Sequence, residues 1–150
     1  MQALESNLLS FTLWCYAVSN NNRHGDNWND EDLSLFSHDQ RKVDIEIDSH
    51  SGGRALQAAV RPYPLAVAGN PLEIEFKAFS PKRQFKFVFE NSRVDPRISP
   101  TIIFVPTYQF PKGINCTVSD GSFVYDMKNQ IMTYIHNMSS LLHTVRISMP

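Results

Sequence analysis

Gln84-Phe85-Lys86-Phe87-Val88-Phe89 carries a phenylalanine at every second position. Residues i, i+2 and i+4 of an extended chain share one face. Phe85, Phe87 and Phe89 therefore make one continuous apolar surface, and Gln84, Lys86 and Val88 lie on the other side. Burying each ring is worth roughly 1.5–3 kcal/mol, so this strand requires a covering layer.

The same period extends in both directions. Leu72, Ile74 and Phe76 alternate with Glu73, Glu75 and Lys77. Thr101 to Val105 is a continuous β-prone run. Ile114, Cys116 and Val118 alternate with Asn115 and Thr117, and Ser119-Asp120-Gly121-Ser122 then supplies a turn before Phe123 and Tyr125. Ile131, Thr133 and Ile135 alternate with Met132, Tyr134 and His136. Val145 and Ile147 alternate with Thr144, Arg146 and Ser148. About seven short strands at regular spacing, separated by turn residues, predict an antiparallel β-sandwich from Pro71 to Met149.

Residues 1–64 read differently. Leu8-Leu9-Ser10-Phe11-Thr12-Leu13-Trp14 has the composition of a buried strand. Asn20 to Asp32 is polar and turn-rich, a long loop with Trp28 as its aromatic landmark. Asp39 to Asp48 is charged, with a weak alternation at Val43, Ile45 and Ile47. Gly53 to Val60 predicts a short helix, ended by Arg61-Pro62-Tyr63-Pro64. One strand, one loop and one helix cannot bury their own apolar faces, because a single β/α unit is stable only inside a larger layered structure. Leu8, Phe11 and Leu13 are the positions expected to stay exposed.

Composition narrows the function classes. The 150 residues hold 14 Lys+Arg against 15 Asp+Glu, a formal net charge of -1. That balance lacks the basic stripe a nucleic-acid binder needs. No apolar run approaches the roughly 18 residues of a transmembrane helix. The first residues lack the basic and apolar regions of a signal peptide, so an intracellular, cytoplasmic location is expected. Cys15 and Cys116 form no CxxC pair and read as two buried thiols. His24 and Asp26 have no third ligand at metal-like spacing, and Ser51-Gly52-Gly53-Arg54 lacks the lysine of a phosphate loop. Neither a metal nor a cofactor is implied. Asp95, Asp126 and Glu90 are scattered and specify no acid/base pair, and His136 and His143 read as structural residues near strand ends.

Several motifs in sequence order resemble a known family. Ser10-Phe11-Thr12-Leu13-Trp14, Gly25-Asp26-Asn27-Trp28-Asn29 and Glu31-Asp32-Leu33-Ser34 are similar to the last strand and following loop of a glycoside hydrolase family 5 barrel. The matching branch is the fungal one related to endoglycoceramidases, which cleaves glucosylceramide and steryl glucosides. Ser51-Gly52-Gly53-Arg54-Ala55-Leu56 and Val60-Arg61-Pro62-Tyr63-Pro64 resemble its final barrel helix and exit. Ile103-Phe104-Val105-Pro106, Val118-Ser119-Asp120-Gly121 and His143-Thr144-Val145-Arg146-Ile147 resemble its C-terminal β-sandwich.

The resemblance implies a mainly β chain: a remnant of a TIM barrel over 1–64, comprising its last strand, loop and helix, then the sandwich over 65–150. It implies a glycolipid or other β-glucoside as the partner of the full-length protein, together with the missing barrel region. Retaining glycosidases need two carboxylates about 5–5.5 Å apart. In this family both are glutamates on earlier barrel strands, so this chain is expected to be inactive alone, with no catalytic residue of its own. Trp14 would stack beneath the sugar beside the scissile bond. Asn20, Asp26, Asn27 and Trp28 would border the sugar-binding end of the cleft. From the residues alone, Trp14 reads first as a buried core side chain, and the loop equally as a self-capping run of Asx-turns. Cys15 stands where the family commonly has Asn, and Ser19 where it has Asp. The alternative function is a non-catalytic sandwich that serves as a packing module or binds carbohydrate or lipid.

Overall fold

The computed structural model describes residues 1–21, 23, 32–44, 46–92 and 94–150. They form two compact units, one of Met1–Ser10 with Val60–Pro150 and the other of Phe11–Ala59.

The first unit is a β-sandwich. Its strands are β1 (Tyr63–Ala66), β2 (Gly69–Lys77), β3 (Gln84–Asn91), β4 (Thr101–Phe104), β5 (Asn115–Val118), β6 (Ser122–Asp126), β7 (Ile131–Ile135) and β8 (Leu142–Ser148). They make two four-stranded sheets, ordered β1-β4-β7-β6 and β2-β3-β8-β5. All neighbouring pairs are antiparallel. The strand that periodicity misses is β1, because Pro64 reads as a helix terminator. It lies at a sheet edge, where a missing N–H is tolerated.

Phe85, Phe87 and Phe89 all face the core and are essentially inaccessible to solvent. Phe87 and Phe89 stack at 5.4 Å, and Tyr134 from the opposite sheet meets Phe89 edge-on at 6.1 Å. Ile103, Val105 and Met132 complete the same cluster with Val145 and Ile147. In β2 the alternation is interrupted. The register with β3 shifts between Pro71 and Glu73, so Leu72 is the extra residue of a bulge and is exposed, while Phe76 stays buried. In β7 the inward face is Met132 and Tyr134, continued by His136, and Ile135 points outward.

A short helix, α1 (Gln2–Ser6), packs on β2. Its Glu5 carboxylate accepts hydrogen bonds from the Arg61 guanidinium, and both side chains are nearly buried. Arg61 also donates to the Phe76 carbonyl and lies 5.0 Å over the Phe76 ring.

The second unit has little regular structure among its described residues: a 3-10 turn at His38–Gln40 and α2 (Leu56–Ala59), shorter than the expected helix. The expected strand over 8–14 is not formed; these residues join no ladder among the described residues. A β-prone run becomes a strand only when a neighbour takes its backbone groups. Leu8, Phe11 and Leu13 are exposed as expected, as are Leu9, Tyr16 and Val18.

Candidate functional site

Trp14 is 64% exposed, and the Trp14–Cys15 peptide is cis. The backbone just after it is held by a small hydrogen-bonded bracket. Leu35 N–H donates to the Cys15 carbonyl at 2.8 Å. Ser34 Oγ accepts from the N–H groups of Ala17 and Phe36, both at 3.2 Å. Asn20 is buried, and its Nδ2 donates to the Phe36 carbonyl at 2.7 Å. His38 N–H returns to the Asn20 carbonyl at 2.9 Å.

Phe36 is the hub of this unit. It is 3% exposed, lies under the Tyr16 ring at 5.6 Å, and bridges to Gly53. Gly52 sits at φ +82°, and a Cβ there would fall 2.5 Å from Phe36 Cε2. Glycine is thus required twice, by conformation and by space. Arg54 pairs with Asp32 at 2.5 Å, tying α2's approach to the end of the long loop. The bracket presents an indole from a backbone that is fixed at many points. Such a ring offers a flat apolar face, suited to the C–H face of a ligand.

Trp14 and Asn20 therefore share a segment but serve opposite ends of it. The indole turns to solvent and the amide turns inward to Phe36. Asp26, Asn27 and Trp28 lie outside the described residues.

A second polar cluster lies inside the sandwich, where sequence reading saw only a turn and two structural histidines. His143 is the second residue of β8 and His136 follows β7, so they come from different sheets. Their ring centroids are 4.1 Å apart. Asp120 Oδ2 is 2.9 Å from His143 Nδ1, and Oδ1 accepts from Asn137 N–H at 2.7 Å and from the Tyr134 hydroxyl at 3.3 Å. Gly121, at φ +68°, allows the chain to pass against the Ile135 carbonyl and so aims Asp120 at this cluster. Burial pushes the Asp120 carboxyl up, but its hydrogen bonds from Asn137, His143 and Ser119 outweigh that and hold it below the usual carboxylate value. Burial pushes Tyr134 up to about 12. Burial, then the neighbouring His143, lowers His136 against the opposing pull of Asp120. Both nitrogens of His136 and Nε2 of His143 have no hydrogen-bond partner among the described residues. Among those residues, no group of three His, Cys, Asp or Glu side chains is placed to hold a metal ion. The sequence signal for this cluster was weak, because Asp120, His136 and His143 converge only when the sheets close on each other.

Residues 61–148 match the family model of the glycoside hydrolase family 5 C-terminal domain. The chain belongs to this family.

Relatives extend the likeness beyond the family's matched region. A glucosylceramidase of Rhizopus delemar is 35% identical, over 99% of this chain and 22% of its own length. An ergosteryl-beta-glucosidase of Saccharomyces cerevisiae is 28% identical, over 89% of this chain and 24% of its own length. This family member thus spans about a quarter or less of those two curated relatives. Among solved structures, Cryptococcus neoformans sterylglucosidase 1 superposes with a TM-score of 0.82 over 99% of this chain and 23% of that one, at 24% identity. Endo-glycoceramidase II from Rhodococcus matches 80% of this chain and 24% of that one with a TM-score of 0.55 at 21% identity. At those identities the superpositions establish the shared fold. The family's matched region contains the Asp120 cluster, while Trp14 and Asn20 lie N-terminal to it.

Proposed function

We propose that this chain is the C-terminal portion of a retaining β-glucosidase acting on lipid glucosides, glucosylceramide or a steryl glucoside. The observation that carries the reading is the Rhizopus glucosylceramidase, which aligns with nearly the whole chain, Trp14 segment included. The exposed apolar row of Leu9, Phe11, Leu13 and Trp14 supports it, since those side chains suit a segment packed beside further strands. In this reading residues 1–64 are the end of a (β/α)8 barrel, and 65–150 are the C-terminal β-sandwich. A complete barrel takes about 250 residues, so the acid/base and nucleophile come from sequence outside these 150. Trp14 acts by stacking on the glucosyl ring, and Asp26, Asn27 and Trp28 supply hydrogen bonds and a stacking surface to the same glycan. Asn20 holds the segment from beneath through Phe36.

The test is turnover of an aryl β-glucoside, glucosylceramide and a steryl glucoside by the 150-residue chain and by a longer enzyme containing it. The short chain should match the buffer control and the longer one should hydrolyse at least one lipid glucoside. Hydrolysis by the short chain, or none by a folded longer enzyme, overturns the reading.

A further inference from the structure

The outer face of the β2-β3-β8-β5 sheet carries a groove of about 290 Å³ that no part of the glucosidase reading uses. Phe85, Val145 and Ile147 point into the core, so their strand neighbours point outward into this groove. The pairing register builds it in rungs. Glu75 lies opposite Lys86, Lys86 opposite Arg146, and Arg146 opposite Thr117. The next rung runs Lys77, Gln84, Ser148 and Asn115.

The charges on these rungs are unequally satisfied. Glu73 takes the Lys86 ammonium with both oxygens, at 2.7 and 2.6 Å. Glu75 sits 3.5 Å from Lys77 Nζ. Arg146 is exposed at the centre and has no hydrogen-bond or ion-pair partner among the described residues. It faces Lys86 directly across the ladder, whose own charge Glu73 already offsets. An anion at Arg146 supplies the partner that its guanidinium lacks. The guanidinium fork fits a phosphate or carboxylate through two parallel hydrogen bonds. Thr117 and Asn115 on the edge strand add hydroxyl and amide donors. Among the described residues, Phe85 is the one aromatic residue at the groove and its ring is buried in the core, so the face offers no stacking platform for a neutral sugar.

We infer that this groove is a binding site for a compact oxyanion of the phosphate-ester class, centred on Arg146 and flanked by Lys86 and Thr117. The site is independent of the lipid-glucoside reading and stands or falls separately.

The experiment is an NMR titration of the whole 150-residue chain with inorganic phosphate at constant ionic strength, following the Arg146 side-chain Nε–H and the Thr117 amide. Saturable shifts are expected with phosphate and not with matched chloride. Arg146→Gln should weaken binding by on the order of tenfold or more, the scale of a lost charge-assisted pair. Lys82→Gln, an exposed lysine outside the groove, should leave it unchanged. Repeating the titration with glucose 6-phosphate, and sedimenting the chain with phosphatidylcholine vesicles containing phosphatidic acid, distinguishes a soluble ester from a lipid headgroup. Shifts that do not saturate, that chloride reproduces, or that persist in folded Arg146→Gln overturn the site.

Discussion

His136 and His143 face each other across the two sheets with ring centroids 4.1 Å apart, and among the described residues only His143 Nδ1 has a hydrogen-bonding partner, Asp120. A proton on His136 would lie buried beside a second imidazole, with Asp120 engaged by His143, Tyr134 and the Asn137 N–H.

This geometry gives the sandwich an acid-sensitive stability. His136 has its folded pKa lowered, so its contribution is complete above the unfolded value of about 6.5 and is lost as pH falls through the window below it. Asp120 is also lowered, so its contribution is present above about 3.9 and is lost as pH falls further. Urea unfolding across pH should show two separate declines. His136→Phe should remove the upper one and Asp120→Asn should reduce the lower, to which Asp95 and Asp126, both also lowered, contribute. An upper decline unchanged in His136→Phe would show that another group carries it.

Phe87 and Leu72 looked equivalent as alternating strand residues, yet they should respond oppositely to truncation. Phe87→Ala empties a fully buried site and should cost about 3–5 kcal/mol. Leu72→Ala, on the bulge, should stay within about 0.5 kcal/mol of the parent. Equilibrium denaturation measures both.

Glu5→Ala should destabilise the sandwich unit far more than its position in a five-residue terminal helix suggests. It leaves the Arg61 guanidinium nearly buried without its carboxylate, a change on the order of 3–5 kcal/mol. Removing both charges together, as Glu5→Leu with Arg61→Met, should recover most of that loss. A double variant as unstable as Glu5→Ala would show that the charge itself is not the cost.

Gly52→Ala should disorder the Phe11–Ala59 unit. The left-handed backbone costs an alanine about 1–2 kcal/mol before its Cβ meets the Phe36 ring. Limited proteolysis should cut that unit faster in the variant, with cleavage of 60–150 unchanged. In the parent chain too, 11–59 should be cut before the sandwich, because its apolar row is exposed.

In a longer enzyme containing this chain, Trp14→Ala should lower kcat/KM by on the order of 100-fold, because a misplaced substrate loses its reactive orientation. Wild-type kcat/KM in that variant would return Trp14 to a structural role.

Local pattern was enough for β3, because Phe85, Phe87 and Phe89 have one apolar face and no competing arrangement. The turn at Asp120-Gly121 was equally readable, since its residue types suit it whatever the surroundings. In β7 both faces carry large apolar groups, and only the sheet opposite decided that Met132 and Tyr134 go inward while Ile135 goes out. The 8–14 run had every local mark of a strand and formed none, for a ladder is a property of two strands and not of one. The meeting of His136, His143 and Asp120, and the Arg146–Lys86 opposition, depend on sheet closure and on register. Alternation along the sequence determines which residues share a face, but pairing across space determines what each face meets.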